Sequence, residues 1–158
     1  MKAIHLIRTF LLLALVATVS VRCSCDDTTA KPKTLSQLIA TGLSWKVVAA
    51  RNNGAVQPQA SYANFRVTFS VNGTYQITRG GAPYSPSRVA SQQGSWALAT
   101  TTSTTAGDLT FDAANAAVTR KIKLSNVKEN ATATIEWTLE ESEDKTKPTI
   151  SFDLVPAN

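Results

Sequence analysis

The stretch Phe65-Arg66-Val67-Thr68-Phe69-Ser70-Val71-Asn72-Gly73-Thr74-Tyr75-Gln76-Ile77-Thr78-Arg79 decides the fold. Side chains alternate across an extended chain, so Phe65, Val67, Phe69 and Val71 share one face while Arg66, Thr68 and Ser70 share the other. Asn72-Gly73 breaks the alternation, and Tyr75 and Ile77 resume it. Asn-Gly between two alternating runs is the strongest short-range hairpin signal. Outward from this hairpin the same period recurs. Trp45, Val47 and Ala49 share a face, as do Trp96 and Leu98, then Leu109 and Phe111. Val118, Arg120, Ile122 and Leu124 follow, then Ala133, Ile135, Trp137 and Leu139, and last Ile150, Phe152 and Leu154. Gly80 to Gln93, Thr101 to Thr105, Asp112 to Asn115 and Glu140 to Pro148 read as loops or turns between them. Eight strands, each with one apolar and one polar face, imply an antiparallel sheet with one dry side. Such a sheet buries that side by closing or by stacking. The expected fold is therefore all-β: an eight-stranded up-and-down antiparallel barrel, with a β-sandwich as the alternative.

Before the first strand, Thr34 to Gly42 reads as a short N-terminal helix. Thr34 can cap it, Leu35, Leu38 and Ile39 give it an apolar side, and Gly42 can end it. Further upstream the chain changes character. Lys2 and Arg8 precede an apolar run from Phe10 to Val21, followed by Arg22-Cys23-Ser24-Cys25-Asp26-Asp27. Charge, then about a dozen apolar residues, then small residues is the order of a secretory signal and is short for a membrane span. The expected organisation is a signal at residues 1–24, a tether at 25–33 and a β-domain at 34–158.

Charge and composition exclude more than they assign. The chain carries 16 basic and 11 acidic groups. Lys2, Arg8 and Arg22 lie in the signal; without them 13 basic groups face 11 acidic ones, a net +2. That is no nucleic-acid footprint, which requires clustered Lys and Arg. Arg120, Lys121, Lys123 and Lys128, with Glu140, Glu141, Glu143 and Asp144 nearby in sequence, read as a solvated surface of mixed sign. The single His is His5, and no Cys follows Cys25. The β-domain therefore has no imidazole and no thiol, which removes His-assisted or Cys nucleophilic catalysis and His/Cys metal or haem sites. Asp108, Asp112 and Glu136 show no spacing that pairs two carboxylates, and the acidic run 140–144 lacks a calcium-loop spacing. The expectation is a non-enzyme without a cofactor.

Two resemblances extend this reading. Ser24-Cys25 resembles the small-residue–Cys pair of a bacterial lipoprotein signal, with Cys23 as the alternative. It implies a lipidated Cys25, palmitate-type acyl chains and anchoring to the outer membrane of a cell envelope, on its periplasmic side or at the surface. Asp26-Asp27 resembles the surface-export signal of Bacteroidota-type lipoproteins, and Asp27-Thr28-Thr29 resembles that phylum's O-glycosylation triplet, with Thr28 the acceptor. The β-domain in turn resembles the small lipocalin-like domains of such lipoproteins. The residues that carry this likeness are the helix before Gly42-Leu43-Ser44-Trp45-Lys46-Val47, then Phe69-Ser70-Val71-Asn72-Gly73-Thr74-Tyr75, Gly94-Ser95-Trp96-Ala97-Leu98 and Leu109-Thr110-Phe111. The likeness implies a lipocalin-like barrel with a Trp of the first strand plugging one end. It also implies that the barrel holds a small hydrophobic or amphipathic ligand.

The inward set is expected to include Trp45, Phe65, Phe69, Tyr75, Trp96, Phe111, Trp137 and Phe152. An eight-stranded barrel is wide enough to hold one small ligand or to be filled by its own side chains. Trp45, Phe69, Tyr75, Trp96, Arg120 and Trp137 are thus candidate ligand residues, or the rings pack on one another. Arg120 sits in the apolar phase of its strand. It either meets an anion or head group inside the barrel or snorkels at the rim. Tyr84 with Arg79 and Arg88 forms a candidate lip. The alternative function is a non-catalytic envelope module with a filled barrel, contacting protein or glycan.

Overall fold

The computed structural model describes residues 31–140 and 143–157. The signal, Cys23, Cys25 and Thr28 lie outside the described residues. The chain divides into two units, residues 1–32 and 33–158, and every element below belongs to the second.

Helix α1 (Leu35–Ile39) begins at a capping box: Thr34 accepts from the Gln37 N–H, and the Gln37 side chain accepts from the Thr34 N–H. The helix ends at Ala40, not at Gly42. Gly42, at φ +74°, instead turns the chain into β1. The strands are β1 (Ser44–Asn52), β2 (Ala55–Val56), β3 (Arg66–Phe69), β4 (Thr74–Thr78), β5 (Gln93–Leu98), β6 (Gly107–Phe111), β7 (Arg120–Lys128), β8 (Thr132–Thr138) and β9 (Thr149–Pro156). From β3 to β9 each pairs antiparallel with the next, and β1 pairs with both β3 and β9. Eight strands thus close into an up-and-down barrel whose ladders and core lie within residues 33–158. The sandwich alternative falls, because chain neighbours pair all the way round.

Four details depart from the sequence reading. Strand β2 is additional: Asn53 and Gly54, at φ 47° and 80°, form a tight two-residue turn that pairs Asn52 with Ala55 beside the barrel. The β1–β9 register slips between Val47 and Ala49, so Ala50, not Ala49, reaches the core. The one-residue bulge reverses the alternation and leaves Val48 outside. Val71 sits in the hairpin turn and is 85% exposed. That turn runs Ser70 to Gly73, with the Gly73 N–H on the Ser70 carbonyl and Gly73 at positive φ. Val118, for its part, precedes β7.

All eight expected inward aromatics are buried. Seven of them, with Tyr62, meet ring to ring in two groups. Phe69 lies edge-on to Trp96 and Phe111, and Tyr75 stacks on Phe111 at 4.1 Å. Phe65, Tyr62 and Trp137 each meet Phe152 edge-on at about 5 Å. Helix α1 covers the end where β1 begins and β9 ends. Trp45 is 1% exposed there and donates its indole N–H to the Ile39 carbonyl at 3.3 Å. The opposite end, the mouth, carries the connections at 53–65, 79–92 and 112–119 and the described residues between β8 and β9.

Candidate functional site

The mouth is where polar side chains go inside. Ser85, Ser87, Asp112 and Arg120 are the buried polar residues among those described, and all four sit there. Asp112 follows the last residue of β6 and turns the chain at φ 53°. One carboxylate oxygen accepts from the Ser95 N–H at 3.0 Å and the other from the Tyr75 hydroxyl at 2.6 Å. With its proton on Asp112, the Tyr75 oxygen accepts from the Ser87 hydroxyl at 2.7 Å. This knot joins β4, β5, β6 and the 79–92 loop. Burial, and then the bond to Asp112, push the Tyr75 phenol well above its ordinary range. Gly94 makes room for the knot, since a Cβ there would fall 2.0 Å from an Asp112 carboxylate oxygen.

Arg120 opens β7 and is 3% exposed. It belongs neither to the rim nor to the solvated basic surface that Lys121, Lys123 and Lys128 form. One guanidinium nitrogen, Nη2, donates to Glu143 of the 139–148 loop. Nε and Nη1 have no hydrogen-bond partner among the described residues. Burial lowers the Arg120 pKa, opposed by the Glu143 carboxylate; the charge of Arg88 acts with burial and that of Glu140 against it. A guanidinium so placed stays cationic. The Trp137 indole N–H and the Tyr62 hydroxyl are also buried without a partner among the described residues. The register Lys123↔Glu136 continues to place Arg120 opposite Leu139, with Trp137 two residues along the same inward face. Burial, then the neighbouring Tyr84, push the Tyr62 phenol up to about 12. Each unsatisfied buried donor costs about 1–3 kcal/mol, so the upper barrel is rich in donors and short of acceptors.

The expected lip divides. Arg79 is spent on its own loop, donating to the Ala82 and Pro83 carbonyls at 2.6 Å. Tyr84 accepts from the Asn52 amide at 3.0 Å and so ties the loop to β1. Arg88 remains half-buried beside Arg120. It borders a hollow of about 680 Å³ together with Arg120, Thr119, Lys121, Thr138 and Glu140. A smaller hollow of about 260 Å³ lies between Tyr84, Ser87 and Glu143. Other hollows open on the outer strand faces. In one of about 520 Å³, Asp108 and Glu136 flank Lys123, each across a strand pair from it. The candidate ligand residues Trp45, Phe69, Tyr75 and Trp96 are instead engaged with one another or with core neighbours.

Sequence reasoning missed Tyr62, Ser87, Asp112 and Glu143. Tyr62 ends the single 3-10 turn Gln59–Tyr62 and Ser87 lies in an irregular loop, and neither segment has a period to place it. Asp112 enters the barrel only through its positive φ, and Glu143 reaches Arg120 across 23 positions. Among the described residues no three of His, Cys, Asp and Glu cluster as a metal site, and no helix is long and apolar enough to cross a membrane. No protein-family profile, curated protein or solved structure matches the chain.

Proposed function

We propose that this chain is a cell-envelope lipoprotein, lipidated on Cys25 or alternatively Cys23 and held on the outer membrane. Its lipocalin-like barrel is a non-catalytic module that binds at its mouth and outer surface rather than in a deep cavity. The observation that supports this reading is the filled interior. Trp45, Phe65, Phe69, Phe111 and Phe152 are each at most 2% exposed, and the four Phe rings meet one another edge-on in two pairs, Phe65 with Phe152 and Phe69 with Phe111. An apolar ligand inside would have to displace that core, at several kcal/mol for each aromatic moved. The absence of imidazole and thiol from residues 26–158 supports a binding role over catalysis.

Native mass spectrometry of residues 31–158, purified from a bacterial lysate, tests the module. The expected spectrum is the bare polypeptide; a stoichiometric lipid mass would restore the cavity reading. Metabolic labelling with an alkynyl fatty acid tests the tether on the full chain. Label is expected on wild type and on Cys23→Ser but not on Cys25→Ser, and the reverse pattern would move the anchor to Cys23.

A further inference from the structure

The geometry points to Arg120, with Arg88 and Lys121 beside it, as a binding site for a small oxyanion, a carboxylate or phosphate group. It rests on the reading that this barrel binds at its mouth. Four observations converge. Arg120 is a buried cation with two nitrogens, Nε and Nη1, that have no partner among the described residues. It lines the largest of the hollows described above, and with its side chain only 2% exposed a ligand there reaches the guanidinium by displacing Glu143. Two further cationic residues, Arg88 and Lys121, line the same hollow, with Thr119 and Thr138. On the paired strand, two residues from the position opposite Arg120, the buried Trp137 indole is a further donor without an acceptor among the described residues.

The donor set selects the ligand. A guanidinium presents five N–H groups as planar forks that match the two oxygens of a carboxylate or phosphate. Glu143 already demonstrates the chemistry, because its carboxylate sits on Nη2. Its side chain is 31% exposed, and its second oxygen caps the Glu140 N–H at 2.9 Å. Glu143 is therefore an internal anion that competes for the guanidinium. Glu140 and Glu143 oppose an incoming negative charge, whereas Arg88, Lys121 and Arg120 attract it. The balance at the hollow favours an anion small enough to reach the guanidinium in place of the Glu143 carboxylate. The filled core below leaves no place for a long apolar tail.

The test is an NMR titration of ¹⁵N-labelled residues 31–158 with sodium phosphate, and in parallel with sodium acetate, ionic strength being held constant with sodium chloride. The amides of residues 118–121 are expected to shift and saturate in wild type. Glu143→Gln removes the internal competitor and is expected to tighten binding about tenfold. Arg88→Gln removes one attracting charge and is expected to weaken it about fivefold. Both side chains are at least partly exposed, so the barrel is expected to keep its fold where Arg120→Lys would endanger it. Saturation by phosphate alone assigns a phosphate site, and by acetate as well a general oxyanion site. Shifts that never saturate, or equal affinities in all three proteins, would overturn the proposal. A lipid found by native mass spectrometry alongside these charge-dependent affinities would remove the filled-interior reading and leave the anion site standing.

Discussion

At the helix-covered end of the barrel, both tryptophans have their N–H groups satisfied: Trp45 on the Ile39 carbonyl and Trp96 on the Ser70 carbonyl. At the mouth, the Trp137 indole, the Tyr62 hydroxyl and two nitrogens of Arg120 are buried without partners among the described residues. The covered end is closed by a capped helix, two tight turns and the 99–106 loop, the mouth by four connections, of which two are pinned through Tyr75, Asp112 and Ser87. The contrast teaches where this small fold spends its stability. One end resembles a finished core, with polar groups paired and rings packed. The other holds a buried cation whose hydrogen bonding is incomplete, an arrangement that costs stability and suits binding.

The largest effect is expected at the covered end. Trp45→Ala removes the ring that α1 rests on and should cost about 4 kcal/mol in urea denaturation. A cost near that of a surface substitution would break the contrast. Next comes the knot that secures the mouth. Gly94→Ala drives a methyl into the Asp112 carboxylate and should cost about 3 kcal/mol by the same assay. Tyr75→Phe keeps the ring stack on Phe111 but takes one of the two donors from the Asp112 carboxylate, an expected loss of about 2 kcal/mol.

How much of this was legible depended on period. The alternation in Phe65 to Arg79 carried the hairpin, and the same alternation elsewhere carried the eight strands and all eight inward rings. It failed where one residue breaks phase. The bulge at Val48 moved the buried position from Ala49 to Ala50, and no residue type announces a bulge. Asn53-Gly54 carries the signal read at Asn72-Gly73, yet its flanking residues do not alternate, so β2 went unseen. Arg120 was legible as an inward residue by phase alone. Its partner Glu143 was not, because loop residues meet by tertiary closure.

The smallest expected effect separates the two ends by pH. Tyr62→Phe removes a hydroxyl that has no partner among the described residues and should change stability at pH 7 by less than about 1 kcal/mol. Unfolded tyrosines ionise near 10, whereas folded Tyr62 ionises near 12. Its protonated form is favoured by folding, so that contribution is complete below pH 10 and is lost as pH rises to 12. Urea midpoints should fall over that interval in wild type and fall less steeply in Tyr62→Phe. Parallel curves would place Tyr62 in contact with solvent.

The three tryptophans, Trp45, Trp96 and Trp137, report both ends in one spectrum. A ¹⁵N spectrum of their indole N–H signals, recorded as phosphate replaces chloride at constant ionic strength, tests the central claim most directly. The account predicts that the Trp137 signal moves and saturates while those of Trp45 and Trp96 hold still. Three motionless signals, or three moving together, would contradict it.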